Sequence, residues 1–336
     1  MLQIGRRALG LAVTLLLLAA LVAGHAMAEH AAGDKAVADG CDGRSDVLGV
    51  SRVVEVDTHG GAAFGFQYHK APDYLQDGEV VLTFDDGPSR SHTRAVLDAL
   101  DAHCTKATFF MVGRMAVADP EMVREVARHG HTIGTHTWSH RNLRTLLPAR
   151  AKAEIEMSVS AVSRILGTPV APFFRFPYLS DPRPMIEYLK ERDIGIFSID
   201  VDSIDYRTRS GTEIQRRVLS LLAKQRKGIL LFHDIQTSTA RGIRGLLDQL
   251  KARGFKVVHL IPKAAATTVA DFDAAAEQEL ARKAAAAAGK PLANRSIVWA
   301  TGAEEERPAV RRKRHRPSAA ASKGRRSDDN SWHLRN

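Results

Sequence analysis

The chain has 336 residues, enough for one large domain with tails or two modest ones, and its 44% apolar content allows a sizeable core. The formal net charge is +10, but ten Lys/Arg and two Asp fall between Arg307 and Asn336, so the tail holds most of the excess. The rest is nearly balanced, which excludes nucleic acid as an expected partner of the folded part.

At the N-terminus, Arg6 and Arg7 precede an apolar run from Ala8 to Ala23, and Ala26-Met27-Ala28 follows. A charged start, an apolar stretch and small residues at cleavage spacing predict a secretory signal peptide over 1–28. A membrane anchor is the alternative, since the run falls only slightly short of a span. On either reading the mature protein works in the periplasm or outside the cell.

Residues 29–79 read as linker and a short β extension. Arg52 to Asp57 and Ala62 to Tyr68 flank Thr58-His59-Gly60-Gly61, a pattern that suggests a hairpin. Cys41 and Cys104 can pair in an oxidising compartment, tying this extension to the main domain; a buried free thiol at Cys104 is the other reading.

From Val80 the pattern becomes regular. Val80 to Phe84 reads as a compact apolar strand, Thr93 to His103 as a helix, and Ala107 to Val112 as a strand. Asp119-Pro120 offers an N-cap and a first-turn proline for a helix closed by Gly130. Strands follow at Thr132–Gly134, Pro172–Arg175, Ile194–Ile199, Ile229–Phe232 and Lys256–Leu260. Between them lie helices at Pro148–Leu166, Pro184–Glu191, Glu213–Gln225 and Ile243–Arg253. Seven strands separated mostly by helices predict an α/β fold over 80–262: an irregular (β/α) barrel of about seven parallel strands. An open doubly wound sheet is the alternative. Beyond it, 263–306 holds an Ala-rich helix (Asp271 to Ala288) and linker, and 307–336 a basic tail of disordered composition. In an exported protein that tail would meet anionic envelope polymers or lipid head groups, if it has a dedicated partner at all.

The chemistry-bearing residues fall at the ends of these strands. They are Asp85-Asp86-Gly87-Pro88, His136-Thr137-Trp138-Ser139-His140, Arg175-Phe176-Pro177-Tyr178, Asp202-Ser203-Ile204-Asp205-Tyr206 and His233-Asp234. In parallel α/β architectures the carboxyl ends of the strands open onto one face, where sites are built. His136 and His140, four apart, can share a metal. One carboxylate of the Asp85-Asp86 pair can complete a two-His, one-carboxylate set, and the other can act as general base beside it. Taken without the histidines, Asp-Asp-Gly-Pro would read as a polar turn.

Together these segments resemble the polysaccharide deacetylases, carbohydrate esterase family four, with its NodB-homology domain. Thr83 to Pro88 is similar to the first family signature, His136 to His140 to the second, and Arg175 to Tyr178 to the third. Asp202 to Tyr206 resembles the fourth and Leu231-Phe232-His233 the fifth. The resemblance implies Asp85 as catalytic base, Asp86, His136 and His140 as metal ligands, and Arg175 as the residue that orients the base. It implies His233 as general acid with Asp205 as its carboxylate partner, the Tyr178 amide as an oxyanion donor, and Leu231 in the acetyl pocket. Tyr206 stands where the family commonly has Trp, which alters subsite shape more than chemistry. The implied cofactor is one divalent ion; these ligands suit zinc and also accept cobalt or nickel. The implied reaction is N-deacetylation of an N-acetylglucosamine-containing glycan, whether chitooligosaccharide, peptidoglycan or exopolysaccharide. A carbohydrate O-acetyl esterase and a non-catalytic glycan-binding module are the competing functions.

Overall fold

The computed structural model describes Cys41 and residues 43–65 and 74–288. The signal-peptide and basic-tail expectations, and the 66–68 end of the expected hairpin, lie outside those residues.

The strands are β1 (Arg52–Val56), β2 (Ala63–Phe64), β3 (Glu79–Asp85), β4 (Thr108–Met111), β5 (Thr132–Thr135), β6 (Phe173–Phe174), β7 (Gly195–Phe197), β8 (Val201–Asp202), β9 (Gly228–His233) and β10 (Lys256–Pro262). The helices are α1 (Arg90–Ala102), α2 (Gly113–Ala118), α3 (Pro120–Arg128), α4 (Pro148–Leu166), α5 (Arg183–Glu191), α6 (Gly211–Gln225), α7 (Thr237–Ala252) and α8 (Ala270–Ala288). Their starts follow from local chemistry. The Asp119 side chain caps α3 by accepting from Met122 N–H, Ser210 caps α6 by accepting from Glu213 N–H, and Gly167 ends α4 in left-handed backbone.

Every ladder is parallel. Pairing runs β8-β9-β3-β4-β5-β6-β7, with β10 joined to β3. This contains the seven expected parallel strands, β10 among them, and adds the short β8, which was not expected. Among the described residues no ladder joins β7 to β8 to close a barrel. Alternation along the strands sorts side chains between two apolar layers. Val80, Leu82 and Phe84 of β3, Phe109 and Met111 of β4, and Leu230 and Phe232 of β9 face the helices. Val81, Phe110, Phe173, Phe197 and Ile229 fill the interior, with Val258 and Leu260. On β3 the interior parity continues from Val81 through Thr83 to Asp85, and on β9 from Ile229 through Leu231 to His233. The register pairs Asp85 with His233, so the two end side by side on the inner face.

The expected hairpin does not form. β1 pairs in parallel with β10, and β2 in parallel with β7, so the two segments extend the sheet at separate places. Partners far along the chain outcompete the local turn, something period-two patterning cannot report. Cys41 and Cys104 are joined in a disulfide with a Cα–Cα distance of 5.6 Å, fastening the N-terminal segment to the turn after α1. Helix α8 lies against α4 through the buried Ala276 and the Arg164 contacts to Asp273 and Glu277. No helix among the described residues is long and apolar enough to cross a membrane.

Candidate active site

At the carboxyl end of β3 the chain leaves the sheet at Asp85 and turns through Asp86, whose φ is 75°. That turn sends the two carboxylates in different directions. Asp85 stays on the inner face, almost fully buried. Its Oδ1 accepts from the Arg175 guanidinium at 2.7 Å. Arg175 is itself wholly buried and lies over the Phe110 ring, which follows from the β4 register that pairs Phe110 with Asp85. Its other donors go to Thr83 Oγ1 (2.8 Å) and to the carbonyls of Phe197 (3.1 Å) and Ser198 (3.0 Å). A guanidinium held by four acceptors on two strand ends, those of β3 and β7, has one available position, so Asp85 is held too. Burial raises the Asp85 pKa to about 6, against the pull of Arg175 and His233.

Asp86 points to the other side, toward two histidines. Its Oδ1 is 3.6 Å from His136 Nε2 and 3.2 Å from His140 Nε2. Because a carbonyl can only accept, the His136 Nδ1–H donates to the Arg175 carbonyl at 2.7 Å, which leaves the Nε2 lone pair facing Asp86. His140 is brought round by left-handed backbone at Thr137 and at His140 itself, and its N–H donates to Thr137 Oγ1 at 3.0 Å. Burial lowers the pKa of both imidazoles and favours their neutral, metal-ligating form. One ligand atom from each of Asp86, His136 and His140 lies within 4.8 Å of the others. Asp86 Oδ1 is buried and accepts no hydrogen bond. The Nε2 lone pair of His136, the Nε2 of His140 and a carboxylate oxygen with no hydrogen bond converge on one point, a donor set that fits a divalent cation. Asp85 Oδ2 lies 3.9 Å from His136 Nε2, so the base flanks the cluster without belonging to it.

On the third side His233 extends from β9. Its Nδ1 is 2.7 Å from Asp205 Oδ1. The second Asp205 oxygen accepts from the His233 backbone N–H at 2.6 Å and from the Thr239 hydroxyl. Burial alone would lower the His233 pKa, but the charge and hydrogen bond of Asp205 outweigh it and raise it to about 10. The imidazole therefore carries a proton at neutral pH.

The structure thus brings together the five residues expected to bind metal or move protons, Asp85, Asp86, His136, His140 and His233, with Arg175 and Asp205, expected to orient the base and to partner the acid. The three expected substrate contacts border them. Leu231 is buried on β9 in register with Thr83. Tyr206 meets His233 edge-on, with ring centroids 5.6 Å apart. Tyr178, at φ 60°, packs its ring 4.8 Å from that of His140 and is 57% exposed at the rim. Sequence reasoning missed the supports. Thr83, Ser238, Thr239 and Thr93 hold Arg175, Asp205 and Asp234. Asp234, left outside the catalytic set, is almost fully buried beneath the Asp-Asp-Gly-Pro turn; burial raises its carboxyl to about 7. The Thr-Ser-Thr at 237–239 was the available signal, because those residues form the first turn of α7.

Comparison with known proteins gives concordant matches. Residues 74–196 match the polysaccharide deacetylase family. The chain is 34% identical over 203 residues to a Bacillus cereus peptidoglycan-N-acetylglucosamine deacetylase, covering 59% of this chain and 70% of that one. It is 30% identical over 199 residues to a Bradyrhizobium chitooligosaccharide deacetylase, covering 55% and 89%. Among solved structures, a Bdellovibrio bacteriovorus peptidoglycan deacetylase superposes with a TM-score of 0.59 at 35% identity, covering 66% of this chain and 61% of that one.

Proposed function

This chain belongs to the polysaccharide deacetylase family and is a hydrolase of linear amides, and we propose that it removes N-acetyl groups from an N-acetylglucosamine-containing glycan with one divalent ion, zinc by preference. The observation that carries the reading is the buried Asp85, held by Arg175 and facing the Asp86–His136–His140 cluster, with a protonated His233 in register beside it. A glycan-binding module would have no use for an acid and a base held on two sides of a metal set.

When bound by Asp86, His136 and His140, a divalent ion would supply Lewis acidity, polarising the acetamide carbonyl and lowering the pKa of water from about 15.7 toward roughly 7. Asp85, ionised at neutral pH with Arg175 against one oxygen, accepts the proton from the attacking water through the other. The Tyr178 amide, at a turn in left-handed backbone on the rim, donates to the oxyanion as it develops. Collapse requires a protonated amine leaving group. His233 donates that proton from Nε2 while Asp205 keeps Nδ1–H in place and balances the imidazolium charge. Leu231 and Tyr206 close around the acetyl methyl, with Tyr206 giving a smaller wall and a more polar tip than a Trp would.

The apolar start of the chain supports export to the periplasm or beyond, and the charge of its last thirty residues supports contact with an anionic envelope surface. Among substrates, the relatives named above act on peptidoglycan and on chitooligosaccharides, and both belong in the first assay. Acetate release is measured by enzymatic coupling on purified peptidoglycan, on N-acetylated chitooligosaccharides and on O-acetylated xylan with zinc present. Release from either supports the proposal and identifies the glycan; release only from O-acetylated xylan would replace it with the esterase reading.

A further inference from the structure

The turn from Asp85 to Pro88 presents a base and a metal ligand from adjacent residues, and it does so with Asp86 in left-handed backbone. A non-glycine residue is disfavoured there and persists only where its surroundings fix it. Above the turn, Val112 N–H donates to the Gly87 carbonyl at 3.2 Å, and Asp234 N–H donates to the Asp85 carbonyl at 3.3 Å. Beneath it lies the Asp234 carboxyl. A Cβ placed on Gly87 would sit 2.3 Å from each of its oxygens, so the carboxyl is seated against the Gly87 Cα and only glycine fits.

That carboxyl is fixed from α1. Thr93 Oγ1 accepts from Ser89 N–H at 2.7 Å, which directs its own proton to Asp234 Oδ2 at 2.6 Å. Asp234 is 1% exposed, and Oδ1 has no hydrogen-bond partner among the described residues. Folding alone does not account for a buried carboxyl with one oxygen unmatched, since an apolar side chain would fill the space at lower cost.

The geometry points to Asp234 as a positioning residue: wedged between the first turn of α1 and Gly87, it holds Asp86 at the angle from which Oδ1 meets the Nε2 atoms of His136 and His140. This role rests on the metal reading of that cluster. It is one of contact, so an isosteric amide retains it and truncation loses it. Thr93 acts through Asp234 by fixing its rotamer.

The test is zinc affinity, measured on the full chain by competition with a chromogenic chelator, for the parent, Asp234→Ala, Asp234→Asn and Thr93→Val. Far-ultraviolet circular dichroism and melting are recorded for each. Supporting groups around a metal ligand typically contribute 10- to 100-fold in affinity, so Asp234→Ala is expected to bind zinc about 10- to 100-fold more weakly. Asp234→Asn is expected to stay near the parent, with Thr93→Val between them. Folded Asp234→Ala with parental affinity would overturn the inference, as would Asp234→Asn as weak as Asp234→Ala. Should Asp234→Ala not fold, Thr93→Val decides, and parental affinity there refutes the role. A parent that binds no zinc would instead remove the metal reading itself, so the two failures are distinct.

Discussion

Substituting Asp205 by asparagine removes one charge and almost no volume, yet the structure predicts a large kinetic effect. The Asp205 oxygen shared by His233 N–H and the Thr239 hydroxyl receives two donors, so only the carbonyl oxygen of an introduced amide can occupy that place. Its NH2 must then face His233 Nδ1, 2.7 Å away in the parent. That arrangement forces Nδ1 to accept, places the remaining proton on Nε2 and opposes the imidazolium. Burial, now without a counter-charge, pushes the His233 pKa in the same direction, downward from its raised value of about 10. General acid catalysis contributes about 10²- to 10⁴-fold, so kcat/KM on the N-acetylated glycan at pH 7 should fall by that factor in D205N with zinc affinity unchanged. The assay pairs this substrate with 4-nitrophenyl acetate, whose phenolate departs without a proton and whose hydrolysis should change little. Loss of less than tenfold on the amide, or equal losses on both substrates, would refute His233 as the acid tuned by Asp205.

Other consequences lie at separate places in the fold. Arg175→Met leaves Asp85 buried without its counter-charge, and breaking such a pair costs about 3–5 kcal/mol; urea unfolding should show it together with near-complete loss of turnover, and a change below about 1 kcal/mol would contradict the burial argument. At the opposite end of the barrel, burial lowers His259 to about 4. The unfolded chain then takes up a proton below about 6.5 that the folded one refuses, so this residue lowers stability progressively between about pH 6.5 and 4, by about 3 kcal/mol in all. The parent minus His259→Gln difference in unfolding free energy should narrow by that order across the window, and a difference independent of pH would sink the assignment. The Cys41–Cys104 disulfide closes a loop of 63 residues, worth about 4 kcal/mol by chain entropy. Reduction should therefore lower the urea midpoint while kcat stays constant, because Cys104 precedes β4 at the end remote from the site; a fall in kcat with the fold intact would contradict that placement.

The parallel fold was readable because each βα step carries its own local signals, and Asp119-Pro120 and Gly167 lie at helix ends where capping chemistry places them. The site was readable for a related reason: strands announce their carboxyl ends, and there polar residues interrupt apolar runs. Contacts distant in sequence were not. β1 and β2 read as a hairpin because their partners lie in β10 and β7, and α2 follows β4 without a turn signal strong enough to separate it. Helix α7 was expected to start at Ile243 and begins six residues earlier, at Thr237. In the structure Gly242 is the point where α7 crosses α6 at Gly211; a Cβ on Gly242 would lie 2.7 Å from the Gly211 Cα, so the glycine serves packing inside the helix. Losing that first turn hid Ser238 and Thr239, and with them the reason Asp205 is held so firmly. Arg175 was read for its charge, whereas its role rests on four acceptors drawn from the ends of β3 and β7, which no spacing rule connects.

The central claim is that Asp85 removes a proton beside an ion held by Asp86, His136 and His140. It is tested by titrating zinc into chelator-stripped protein and following acetate release from the N-acetylated glycan, with Asp85→Asn and His140→Ala in parallel. The account predicts acetate release that rises to a plateau at one equivalent of zinc in the parent. It predicts an Asp85→Asn protein that binds zinc but releases no acetate, and a His140→Ala protein that regains neither. Acetate release that persists in stripped protein, or that survives Asp85→Asn with zinc bound, would contradict it.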